Sequence, residues 1–220
     1  MIINETTKSL EEKVYLSLED AIISGEYKRG DSLTEISLSK RLGVSRTPIR
    51  SALHRLSEEG LIDLLPNRGA VVVGVSTEDL SDAYRIRMRL EGLASAMAAE
   101  RISEEGLTRL EEIIALSEFY LGKGDVEKLR ELDSEFHLII YNASDNRMLS
   151  RILSELHRNI RTYRGRSLSV PGRLSHSIEE HRDILCAIRE GDADKADKLT
   201  FLHIENAMNN MLTMSKSEEL

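Results

Sequence analysis

Three of the six histidines and one aspartate are spaced for metal chemistry. Asp133 and His137 stand four residues apart in the helical stretch from Asp125 to Asn142, so both side chains fall on one face and a carboxylate and an imidazole can share an ion. Further on, Gly191 and Asp192 form a tight turn, with His181 ten residues before it and His203 eleven after it. At 1.5 Å per residue both imidazoles lie roughly 16 Å from the turn, level across an antiparallel helix pair. One carboxylate and three imidazoles could thus converge, and imidazole serves zinc, nickel and iron alike. The plain alternative makes these four residues hydrogen-bonded members of a helical core. His54 and His176 do not fit the geometry, and His157 is a reserve ligand.

A second chemistry lies near the N-terminus. Residues 36–57 hold Lys40, Arg41, Arg46, Arg50 and Arg55 and no carboxylate, inside a chain whose net charge is −8. Such a segment is a local anion-binding face. Within it Ser45, Arg46, Thr47 and Arg50 open a helix whose apolar residues Ile49, Ala52, Leu53 and Leu56 turn inward, leaving Arg46 and Arg50 on the opposite side. Helix N-termini and hydroxyls favour phosphate, and arginine reaches guanine O6 and N7 as a fork in the major groove.

The elements that must position these groups follow from periodicity. Apolar residues at Leu10, Val14, Leu18, Ala21 and Ile22 make one helical face that Gly25 stops. Thr34 caps a short helix ending at Gly43, and Ser45 caps the next, with Pro48 in its first turn. The chain then reads as a strand, Leu61 to Leu65, a turn over Pro66 to Gly69, and a strand, Ala70 to Val73. The fold class is therefore mainly α: a winged helix-turn-helix of three helices and a β-hairpin wing in residues 1–75, then a six-helix bundle in residues 76–220. Breaks between the later helices fall at Ser103, Gly122 to Asp125, Ser144 to Asn146, Ser167 to Gly172 and Gly191 to Asp192. Residues 1–75 carry a net charge of −1 and the remainder −7, so the acidity lies in the second part. Apolar runs are short, and Met1 to Lys8 lacks an apolar core of signal-peptide length, which predicts a cytoplasmic protein with no membrane partner. The single cysteine, Cys186, excludes an internal disulfide and is expected to be buried and inert.

Gly43-Val44-Ser45-Arg46-Thr47-Pro48-Ile49-Arg50, Glu59-Gly60-Leu61 and Pro66-Asn67-Arg68-Gly69-Ala70 closely resemble the GntR family of bacterial regulators, over about residues 14–73. The resemblance implies that Ser45, Arg46, Thr47 and Arg50 meet double-stranded DNA in the major groove and at its phosphates, and that Arg68 and Gly69 at the wing tip enter the minor groove. Some members carry an arginine where Ile36 stands, and isoleucine cannot bind phosphate. Arg87-x-x-Leu90-Glu91, Asp133-x-x-Phe136-His137, Asn146-x-x-Leu149, Glu180-His181 and His203 resemble the FCD sensor domain of the FadR-like branch, over most of residues 80–211. In metal-bearing members one aspartate and three histidines bind a divalent ion, usually zinc or nickel, whose open positions accept a small carboxylate effector. By that resemblance Asp133, His137, His181 and His203 are the ligands.

An anionic effector calls for an arginine nearby. Arg87 is the first candidate and Arg161 the second, while Asn206, one turn after His203, would bond the effector or orient a ligand. The implied protein is a homodimer on an inverted-repeat operator, because one recognition helix covers a half-site. Two rival readings use the same residues: a regulator that senses the metal itself, and a metal-dependent enzyme. The second lacks a recognisable nucleophile or base beside the ligands.

Overall fold

The computed structural model describes residues 9–66, 68–74, 77–160 and 172–218. They divide into two compact units, Met1–Ser76 and Thr77–Leu220.

In the first unit α1 (Leu10–Ile23) starts at Ser9, whose hydroxyl accepts from the Glu12 amide at 3.1 Å. Helix α2 (Glu35–Leu42) starts at Thr34, which accepts from the Ser37 amide, and ends at Gly43 with φ 66°. Helix α3 (Arg46–Glu58) follows after two residues. Its Ser45 N-cap makes no side-chain capping bond, contrary to the sequence expectation. Ile49, Ala52, Leu53 and Leu56 are buried against Val14, Leu18 and the other apolar residues of the core. Tyr15 joins α1 to the end of α3, its hydroxyl lying 2.6 Å from Glu19 and 2.5 Å from Glu59.

The hairpin is present as β2 (Ile62–Leu65) and β3 (Gly69–Val72), preceded by a strand the sequence reading did not contain, β1 (Ser32–Leu33). The sheet order is β1-β3-β2, all antiparallel, with Leu33 opposite Ala70 and Leu65 opposite Gly69. Gly69 has φ 86°, and a Cβ there would lie 2.4 Å from the Leu33 carbonyl oxygen. Only glycine fits that crossing.

The second unit is helical throughout its described residues: α4 (Thr77–Arg101), α5 (Glu104–Lys123), α6 (Val126–Ala143), α7 (Arg147–Asn159), α8 (Arg173–Arg189) and α9 (Ala193–Glu218). Ser103, Asp125 and Asn146 cap α5, α6 and α7 through side-chain bonds to the amide three residues on. Gly124 (φ 70°) and Gly191 (φ 70°) supply the left-handed residues at the chain reversals. Leu110, Ile113, Phe136, Ile140, Leu153, Ile184 and Ile188 form one apolar core across four of these helices. Cys186 is half-buried rather than buried. Among the described residues no helix is long and apolar enough to cross a membrane.

Candidate functional site

Helix α6 presents Asp133 and His137 on one face, and the α8–α9 hairpin places His181 and His203 opposite them. All four are buried. His203 Nε2 lies 3.3 Å from His137 Nε2 and 3.3 Å from His181 Nε2, and Asp133 Oδ1 lies 3.7 Å from His181 Nε2. One ring nitrogen from each histidine falls within 4.8 Å of the others. Metal–nitrogen bonds of about 2.0–2.1 Å at a tetrahedral angle put ligand nitrogens about 3.3 Å apart, the separation seen here.

The opposite ring atoms explain why the Nε2 atoms face inward. His203 Nδ1 is 2.6 Å from Glu180 Oε2, and His137 Nδ1 is 2.9 Å from Glu91 Oε2. A neutral imidazole whose Nδ1–H donates to a carboxylate, as His203 does to Glu180, has only a lone pair at Nε2, and the close Glu91 carboxylate favours the same tautomer of His137. The lone pairs of buried rings are thereby directed at one another, an arrangement a cation resolves. His181 stacks on Phe136 with centroids 4.1 Å apart. Burial, then the neighbouring His203, pushes His181 down to about 3, outweighing Asp133, so the ring is neutral and available as a ligand. Burial opposes ionisation of Glu180, but the hydrogen bond from His203 and the charge and hydrogen bond of Arg173 hold it at about 2.

Sequence reasoning named Glu91 and Glu180 only as motif letters and passed over Arg173. Arg173 is buried, donates to Glu180 at 2.7 Å, and its Nε has no partner among the described residues. Arg87 lies within the unit's core, its Nε donating to Glu91 Oε1 at 2.6 Å and its Nη1 without a partner among the described residues. Asn206 donates to Glu180 Oε1 at 2.8 Å and so reaches His203 through that carboxylate. With Arg173 and Glu180 it lines a cleft of about 550 Å³. His157 is not in the cluster. Its Nδ1 is 3.3 Å from the Tyr141 hydroxyl, and its ring centroid is 5.9 Å from that of His137. Arg161 lies outside the described residues.

In the first unit Ser45, Arg46, Thr47, Arg50 and Arg68 are exposed and Gly69 is half-buried. Arg46, Arg50, Arg68 and Gly69 line a groove of about 680 Å³ between α2, α3 and the hairpin, together with His54 and the exposed Ile36. The basic segment is less free than its composition suggests. Arg55 lies 3.6 Å above the Tyr15 ring and pairs with Glu12 and Glu59, and Arg41 pairs with Glu26 and Tyr27. Arg50 is held by Glu35.

Residues 10–72 match the family described as bacterial regulatory proteins, gntR family, and residues 82–206 match the FCD domain. Among curated relatives, the chain is 29% identical over 87% of its length, and 86% of theirs, to the HTH-type transcriptional regulator YdhC of Bacillus subtilis, which is itself uncharacterised. It is 25% identical to the HTH-type transcriptional repressor RspR of Escherichia coli K12, over 90% of this chain and 87% of that one. The solved structure of E. coli McbR/YncC aligns over 95% of this chain and all of that one, with a TM-score of 0.73 and 26% identity. With both matches falling on a winged helix-turn-helix with a basic groove and on a helical unit with a buried histidine cluster, the chain is a DNA-binding transcriptional regulator, not an enzyme, and belongs to the GntR family with an FCD domain.

Proposed function

We propose that the Met1–Ser76 unit binds operator DNA and that the Thr77–Leu220 unit controls it by binding a small carboxylate at a divalent metal. Ser45, Arg46, Thr47 and Arg50 meet the major groove and its phosphates, and Arg68 and Gly69 meet the minor groove. Asp133, His137, His181 and His203 hold the ion, with zinc and nickel the candidates that suit three imidazoles and one carboxylate. The observation that carries this reading is the set of inward-facing Nε2 atoms backed by Glu91 and Glu180. When bound, the ion supplies positive charge and open coordination positions for an anionic oxygen.

The chain's own residues supply the rest. Glu91, Glu180 and Asp133 surround the imidazoles with three carboxylates against the guanidinium groups of Arg87 and Arg173. A divalent cation turns that balance positive, the sign that attracts a carboxylate. Arg87 Nη1 and Arg173 Nε are buried donors available to such a ligand. The cleft beside Asn206 has a volume suited to a small molecule. In a cytoplasmic regulator of this kind, ligand binding alters operator affinity.

The protein acts as a homodimer. Ile86 and Leu93, two turns apart on α4, are 48% and 47% exposed, and Leu202 on α9 is 41% exposed. Exposed apolar faces of this kind suit association with a second copy. Thermal melts of metal-loaded protein in the presence of a panel of small carboxylates test the sensing claim. One acid or a few should raise the melting temperature of wild type and leave chelator-treated protein unmoved. No response to any organic acid, combined with metal-dependent DNA binding, would make the metal itself the signal.

A further inference from the structure

Glu35 sits where long-range electrostatics would not place it. The groove between α2, α3 and the hairpin is lined by Arg46, Arg50, Arg68 and His54, and Glu35 is the one carboxylate among its described lining residues. A surface that approaches phosphodiesters is weakened by a carboxylate unless that carboxylate has a compensating task. In sequence Glu35 stands one residue before the carboxylate-free stretch of residues 36–57, yet in space it reaches into the middle of it.

Its contacts supply the task. Glu35 Oε1 accepts from Arg50 Nε at 2.7 Å and Oε2 accepts from Nη2 at 2.8 Å. A guanidinium carries five N–H donors in a planar fork. Side-on pairing engages Nε–H and the nearer Nη2–H, leaving the outer Nη2–H and the Nη1–H groups. That outer edge is the pair of donors that matches guanine O6 and N7. The clamp is itself anchored, because Glu35 is the first residue of α2 and the Thr34 cap fixes that turn. Its side chain is 26% exposed against 62% for Arg50, so the carboxylate is the steadier partner. The Arg50 hydrogen bond also lowers its pKa, keeping it ionised.

We propose that Glu35 is a positioning residue for DNA recognition, which holds the guanidinium of Arg50 side-on so that its outer donor edge faces the bases. The proposal rests on the reading of Arg50 as a base-contacting residue. Its consequence is a trade of sequence-independent attraction for selectivity. A carboxylate that merely repels DNA would, on removal, strengthen binding to every duplex alike. A clamp, on removal, weakens the preferred duplex while random sequence binds as well as before or better.

The opposite signs make the test direct. The duplex bound best by the full-length wild-type protein is selected from a randomised pool, and affinities for it and for random-sequence duplex are measured by fluorescence anisotropy at one salt concentration. Glu35→Ala should bind the selected duplex about tenfold more weakly, the scale of a mispositioned bidentate contact, without losing affinity for random duplex. Glu35→Gln, which keeps one acceptor oxygen, should fall between, and Glu35→Ala added to Arg50→Ala should bring no further loss of selectivity. An equal change on both duplexes, in either direction, or an unchanged selectivity ratio, while Arg50→Ala still abolishes selectivity, would overturn the clamp alone. Arg50→Ala with wild-type selectivity would overturn the base-contact reading beneath it. Matching thermal melts of all variants separate these outcomes from misfolding.

Discussion

Glu91 and Glu180 decide which nitrogen each histidine offers, and their effect can be measured apart from the ligands. Replacing either with Gln leaves a weaker acceptor at His137 or His203, and loss of such an outer partner lowers metal affinity by about 10–100-fold. Competition against a chromogenic chelator checks this, and an unchanged affinity would make the carboxylates bystanders. Arg87 requires more care than its sequence motif implied. Its pairing with Glu91 at 2.6 Å links it to His137, so Arg87→Ala would strand a buried carboxylate and disturb the metal site as well as any effector contact. Arg87→Lys, which keeps the charge, is the variant that separates the two. At the other end of the chain, Arg46→Ala and Arg50→Ala should each lower affinity for the selected duplex by roughly tenfold or more if the residue reads a base, because a bidentate contact to guanine is lost. A phosphate contact would instead lower the salt slope by about one unit and weaken all duplexes alike. Titrations at two salt concentrations tell the roles apart. The clustering of Asp133, His137, His181 and His203 was legible in the sequence because i and i+4 spacing and a hairpin turn fix faces and levels. The partners Glu91, Glu180 and Arg173 were not, since hydrogen bonds between helices depend on how the helices rotate against one another. The same reason hid Glu35 from the reading of Arg50, fifteen residues away.

Helices were legible nearly end to end, because caps and left-handed glycines are local signals: Thr34, Gly43, Ser103, Gly124, Asn146 and Gly191 all stand where the structure starts or stops an element. Strand β1 was not, for two residues carry no periodicity and are defined only by pairing with β3. That pairing gives Gly69 a role beyond any contact with DNA. Gly69→Ala would place a methyl group 2.4 Å from the Leu33 carbonyl at φ 86°, and the left-handed conformation alone costs about 1–2 kcal/mol. The variant should melt at a clearly lower temperature, with the loss confined to the first unit. If Gly69→Ala melts as wild type does, the β1–β3 crossing is looser than described. Arg41 and Arg55 show the limit of composition in the same unit. Both belong to the basic segment, yet Arg55 stacks on Tyr15 and Arg41 pairs with Glu26, so their charges serve the fold.

Across the whole molecule the acidic total of −8 conceals a basic groove in the first unit and a cluster of carboxylates and imidazoles in the second. The proposed homodimer would impose its two-fold symmetry on the operator, so light scattering at micromolar protein should give the mass of a dimer and selected duplexes should contain inverted repeats. A monomer both free and on DNA would exclude that arrangement. Under the proposed reading, four residues from α6, α8 and α9 would hold an ion only when the helical unit is folded, so a bound ion should raise its melting temperature and a chelator should reverse the rise. The measurement that bears most directly on the account is elemental analysis of reconstituted protein. Wild type should hold one divalent ion per chain, and His137→Ala, His181→Ala and His203→Ala should each hold close to none. Metal content near zero in wild type, or equal content in wild type and His203→Ala, would contradict the account and return the histidine cluster to the hydrogen-bonded core.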